Sequence, residues 1–204
     1  HAFHTFEARS LDLCPNRGSP IEFAEVASTS MELLGAPHLD VFYDDPDAVR
    51  RARIKHLDGV LDIFPWVACI DGFQHWVYTH PGHSREQRRE AWLEIRERFS
   101  LGIDMSGLDE IHGHRWIRQS HLFGVPFYYI EYAIAQLGAL QVWRNYRKDP
   151  AAAIGAYRRA LALGNRRPLK ELFEAAEIRF DFSEEILGEL LGLVHDEIEA
   201  LERA

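Results

Sequence analysis

The 204 residues carry 32 acidic against 23 basic side chains, a net charge of -9, and 47% of them are apolar. The apolar share suits a folded core and excludes a disordered chain, while the acidic balance argues against a nucleic-acid partner, whose phosphates need a basic face. Two cysteines, Cys14 and Cys69, are too few to staple a chain of this length, so a reducing, cytoplasmic setting is expected.

The periodicity predicts helices almost throughout. His1 to about Asp12 reads as helix, and the turn-rich run Cys14–Pro20 as a loop. A second helix spans about Ile21 to Leu34, with Phe23, Val26, Ala27, Met31 and Leu34 on one face, and Gly35-Ala36-Pro37 ends it. Asp45-Pro46 caps and opens the next helix, expected to reach about Phe64. Pro65 is expected to kink or restart it, because the ring blocks the preceding turn's hydrogen bond. The apolar stretch from Leu57 to Val77 contains Asp58, Asp62, Asp71 and His75, so it reads as a buried helix pair and not a membrane span.

Ser84 and Gln87 predict a capping box for a helix from Arg85 to about Phe99. A loop with Gly102, Gly107 and Gly113 follows, and Pro126 is expected to open a long helix from Phe127 to about Arg147. Asp149-Pro150 opens another, which Gly164 ends; Leu169 to Ala176 is short. Ser183 caps the last, whose Ile186, Leu190, Leu193, Val194, Ile198 and Leu201 form one stripe. Arg179–Phe182 alternates like a strand but is too short for a sheet. With no repeat and no linker, the expectation is one all-α domain.

Two clusters could carry chemistry. His1, His4 and Glu7 lie on one helix, and Glu22 and Glu25 on the next. Imidazole and carboxylate donors converging from separate elements suit zinc, although exposed polar helix faces give the same pattern. The second cluster is His121, just ahead of Tyr128, Tyr129, Glu131 and Tyr132. A histidine and phenols on one face can donate to a developing oxyanion; aromatic packing with hydroxyls at the rim is the alternative. His75, His80 and His83 could form a metal group, but Pro81-Gly82 puts the last two in a turn and they read as surface residues; His112 and His114 flank a loop glycine and could reach a bound peptide. The cysteines form no redox pair, and the scattered arginines read as solvated faces.

Several stretches are more specific. His1-Ala-Phe-His4 resembles the end of the HExGHAFH stretch of the oligoendopeptidase F family, relatives of thimet oligopeptidase. Pro20–Glu32 resembles that family's EFAEVAS segment, and Phe73–Pro81 another family stretch. The closest likeness is His121–Gln141, with its PFYYIEYAIAQLGALQ run, so the resemblance covers essentially the whole chain. It implies an all-α portion of a zincin-type catalytic domain that hydrolyses short oligopeptides. By resemblance His1 matches the second zinc histidine and Glu25 the third protein ligand. His4 and Glu22 flank these positions and could orient the ligands by hydrogen bonds or contact substrate. His121 with Tyr128 and Tyr132 would stabilise the tetrahedral oxyanion, Tyr129 being the second choice and His114 a substrate candidate.

The family's first zinc histidine and its general-base glutamate match positions before His1. The expectation is therefore a C-terminal portion of a longer peptidase, inactive alone and holding zinc poorly. It is also expected to expose apolar surface near Phe3, Phe6, Phe127 and Tyr132 and to self-associate. A non-catalytic helical module for binding or assembly is the competing reading. Neither a membrane nor a nucleic acid is an expected partner.

Overall fold

A computed structural model describes residues 1–100 and 102–204, and among them every regular element is helical. In chain order the α-helices are α1 (Ala2–Glu7), α2 (Ile21–Gly35), α3 (Pro46–Thr79), α4 (Arg85–Arg98), α5 (Asp109–Gly113), α6 (His121–Gly124), α7 (Ile130–Lys148), α8 (Pro150–Leu163), α9 (Leu169–Ala175) and α10 (Glu184–Arg203). Short 3-10 turns fill several connections.

Local chemistry sets many of these ends. Ser84 accepts from the Gln87 amide and the Gln87 side chain returns the bond, completing the capping box of α4. Asp149 caps α8 through the Ala152 amide at 3.1 Å, and Ser183 caps α10. Gly164 ends α8 at φ 55°, where an added Cβ would stand 2.0 Å from the Asn16 carbonyl oxygen. Only glycine fits such a position.

Four expectations need correction. α3 does not stop or restart at Pro65 but continues as one helix of 34 residues, so the Leu57–Val77 stretch is not a helix pair. One missing N–H costs one hydrogen bond, and buried residues on both sides of it (Leu57 and Val60, then Val67, Ile70 and Phe73) hold the helix in place. The first helix ends at Glu7, with a 3-10 turn over Ala8–Ser10 in place of the expected run to Asp12. On α2, Ser30 and Leu33 take the inner face while Met31 is 46% exposed. The long helix begins at Ile130 rather than Phe127, because Phe127 sits in the left-handed region at φ 60° and cannot join a right-handed helix.

The chain divides into two compact units, His1–Leu61 with Ile134–Ala204, and Asp62–Ala133. In the first, Phe23, Val26 and Ala27 of α2 pack with Ala135 and Val142 of α7, Tyr157 and Leu161 of α8, and Leu172 and Phe173 of α9. Phe23 and Phe173 meet edge to face at 5.7 Å. Gly138 lets α7 approach closely: a Cβ there would lie 2.7 Å from Val26 Cγ2. The buried Tyr157 hydroxyl donates to the Ala27 carbonyl at 2.7 Å, tying α8 to α2. In α10 the residues Ile186, Leu190, Val194, Ile198 and Leu201 are buried as a single stripe.

The second unit is built on aromatic rings. Cys69, Ile70, Phe73 and Trp92 form its centre. Trp92 meets Phe73 and Trp66 edge to face, and its indole N–H donates to the His112 carbonyl at 2.8 Å. Both cysteines are free thiols, Cys14 exposed and Cys69 buried. Among the described residues no helix is long and apolar enough to cross a membrane. Phe3, Phe6 and Phe127 are exposed as expected, but Tyr132 is half-buried, because the rings of Tyr128 and Tyr129 cover it.

Candidate functional site

The first unit brings two of the sequence's candidates together. His1 immediately precedes α1 and Glu25 lies on α2, with His1 Nε2 3.7 Å from Glu25 Oε2. Zinc held tetrahedrally at ordinary bond lengths separates a nitrogen and an oxygen donor by about 3.3–3.5 Å. The pair therefore fits two corners of one zinc site in donor type and in spacing. The Ser28 hydroxyl lies 3.0 Å from Glu25 Oε2 and equally close to the Glu25 carbonyl, one turn along the helix. It can hold the carboxylate in its rotamer. Among the described residues no group of three or more histidine, cysteine or acidic side chains has metal-binding geometry.

His4 is buried on α1, edge-on to Phe23 at 6.2 Å. Its Nε2 has no hydrogen-bond partner, and burial pushes its pKa below the ordinary histidine value. Glu22, half-buried, stands in the first turn of α2, one turn ahead of Glu25.

The second unit assembles the aromatic cluster. His121 opens α6. Its ring stacks on Tyr128 with centroids 5.7 Å apart, and meets Tyr129 at 5.1 Å and Tyr132 at 5.7 Å edge to face. The Tyr132 hydroxyl lies 3.3 Å from His121 Nε2. Tyr128 does not share a helix face with Tyr132, since it precedes α7. The turn at Phe127 still brings their rings within 5.7 Å. Burial pushes the Tyr129 phenol pKa up, and a hydrogen bond with Trp66 partly offsets it.

Sequence reasoning missed Gln119 and Trp66. Gln119 joins His121 Nδ1 through its side-chain nitrogen and takes the Trp66 indole N–H on its oxygen at 3.2 Å. The only signal was a carboxamide two residues ahead of a candidate histidine. His114 is exposed, and its Nδ1 bonds the Glu110 carbonyl at 2.9 Å. His80 stacks on Trp76, and His83 accepts from Arg88 Nε at 2.7 Å, so both rings are occupied by local contacts.

The sequence model described as peptidase family M3 matches residues 1–191. Three solved structures are similar. One is assigned as an oligoendopeptidase F (TM-score 0.90, 30% identity over 98% of this chain). Another is a PZ peptidase A with an inhibitor (TM-score 0.87, 29% identity over 96%). The third is assigned as an oligoendopeptidase F from Bacillus anthracis strain Ames (TM-score 0.79, 26% identity over 98%). The chain spans 35%, 35% and 32% of their respective lengths. No curated protein matches it.

Proposed function

The chain belongs to peptidase family M3, and on that premise we propose that it serves a zinc-dependent endopeptidase acting on short peptides. The observation that carries this reading is the approach of His1 Nε2 to Glu25 Oε2 at 3.7 Å. These are the two donors that the family resemblance assigns to the metal.

In the first unit, His1 and Glu25 would hold the zinc at two of its corners. The zinc these residues would hold would supply Lewis-acid polarisation of the scissile carbonyl and a lowered pKa for water. Glu25 would bind as a carboxylate and His1 through a neutral ring nitrogen. Ser28 keeps the Glu25 oxygen turned toward His1.

In the second unit, His121 and Tyr132 are hydrogen-bond donors for the negative charge that forms on the scissile carbonyl oxygen. Tyr128 stacks on the His121 ring and limits its rotation. Tyr129, half-buried beside them, is the second choice of donor.

The test is a quenched-fluorescence peptide assay on the protein carrying the family's complete zinc helix. Glu25→Gln is expected to abolish turnover and to lower bound zinc measured by elemental analysis. His121→Ala is expected to reduce kcat/KM on the order of 10²–10³-fold, the effect of losing one oxyanion donor. A polypeptide of these 204 residues alone is expected to show no turnover. Normal activity in His121→Ala would remove the oxyanion role, and unchanged zinc in Glu25→Gln would remove the ligand role.

A further inference from the structure

We propose that Gln119, oriented by the indole of Trp66, is a positioning residue that holds His121 as the tautomer with its hydrogen on Nε2. All four groups involved, Trp66, Gln119, His121 and Tyr132, lie in the second unit.

The chain of hydrogen bonds starts from a group with no choice. An indole N–H can only donate. Trp66 Nε1 lies 3.2 Å from Gln119 Oε1, so the carboxamide oxygen must face the indole. The flipped amide would set its NH2 against the indole N–H. The same indole hydrogen also engages the Tyr129 phenol, another acceptor, which leaves the direction of the bond unchanged.

With the oxygen committed to Trp66, the carboxamide nitrogen faces His121 Nδ1. An amide NH2 donates and accepts nothing, so Nδ1 must present its lone pair. A neutral imidazole that accepts at Nδ1 carries its hydrogen on Nε2. Nε2 is the atom 3.3 Å from the Tyr132 hydroxyl. Tyr132 then accepts from His121, and its own O–H is left to donate onward. Donation runs one way along Trp66, Gln119, His121 and Tyr132, each bond polarising the next.

The inference rests on the reading of His121 and Tyr132 as oxyanion donors: it keeps a hydrogen on Nε2 that the Tyr132 oxygen and the substrate oxygen can share, while the Tyr132 O–H stays free to donate. The opposite tautomer would present a lone pair at Nε2. It would repel a developing oxyanion and could bond Tyr132 only by taking the phenol hydrogen away from substrate.

The experiment is nitrogen-detected NMR of the 15N-histidine-labelled protein at about pH 8, where an ordinary imidazole is neutral. The His121 signals are assigned by their loss in His121→Gln. The expected result is an unprotonated Nδ1 and a protonated Nε2 in the native protein, a measurement that needs no variant to fold. Gln119→Glu keeps the length but can only accept, so it is expected to draw the hydrogen to Nδ1. Trp66→Phe removes the orienting N–H and is expected to give a tautomer mixture. A native Nδ1–H form overturns the proposal, as does a Gln119→Glu protein that keeps Nε2–H. An unmoved tautomer in Trp66→Phe removes Trp66 from it.

In the peptidase carrying the complete zinc helix, Gln119→Glu is further expected to lower kcat by about 10- to 100-fold with KM little changed. Normal activity in His121→Ala would sink the functional reading while leaving the tautomer assignment standing.

Discussion

His4 shows how a single buried side chain links the fold to pH. It is 5% exposed, its Nε2 has no hydrogen-bond partner, and burial lowers its pKa. In the unfolded chain it titrates near the ordinary value of about 6.5. As pH falls through that value the unfolded state takes up a proton that the folded state resists, so stability drops. The thermal midpoint is therefore expected to fall between about pH 7.5 and pH 5.5, and to fall less in His4→Phe. An identical pH dependence in the two proteins would show that His4 is not the group responsible. At this scale the sequence was informative about identity and silent about partnership. His121 and Tyr132 stand out as chemistry-bearing residues in one short run. Trp66 and Gln119 lie 53 positions apart, and only the fold brings the indole to the carboxamide.

At the scale of elements, ends were more legible than interiors. Asp149-Pro150, Ser84 with Gln87, and Ser183 act within a few residues of themselves, so composition alone locates them. Pro65 and Phe127 were misread because distant packing decides both. Arg179–Phe182, which alternates like a strand, has a related explanation. Its partner is a side chain: Gln141 accepts from the Arg179 amide and donates to the Arg179 carbonyl, both at 2.9 Å. Gln141→Leu is expected to cost about 1–3 kcal/mol in chemical unfolding, since both backbone groups lose their bonds at once. Gly138→Ala is expected to destabilise by about 1–3 kcal/mol, because the new methyl meets Val26 and Phe173 within a packed core. A neutral result would mean that α2 and α9 yield more readily than the packing implies.

For the whole molecule, charge and apolar surface oppose each other. The net charge of -9 keeps copies apart. Against it stand Phe3, Phe6, Val41, Phe42 and Phe123, each between 38% and 79% exposed. Self-association is expected in sedimentation velocity, stronger at high salt where the repulsion is screened. A monomer at every concentration and salt level would show that these side chains do not form an adhesive surface. Periodicity foretold the helical character of the chain, since the spacing of apolar residues is a local property. The division into two compact units was not legible, because both α3 and α7 run through it unbroken and no linker marks it.

Phe127 has a consequence for how this chain can change over evolutionary time. A left-handed backbone at a bulky residue costs on the order of 1–3 kcal/mol, and its ring recovers part of that against His75 and Tyr78, about 5 Å away. A glycine would relieve the backbone but abandon the ring contacts and loosen the turn that presents Tyr128 and Tyr132. Opposite contributions of similar size leave folding stability a poor witness at this position. A variant library sorted for stability should accept glycine there, while one sorted for catalysis should reject it.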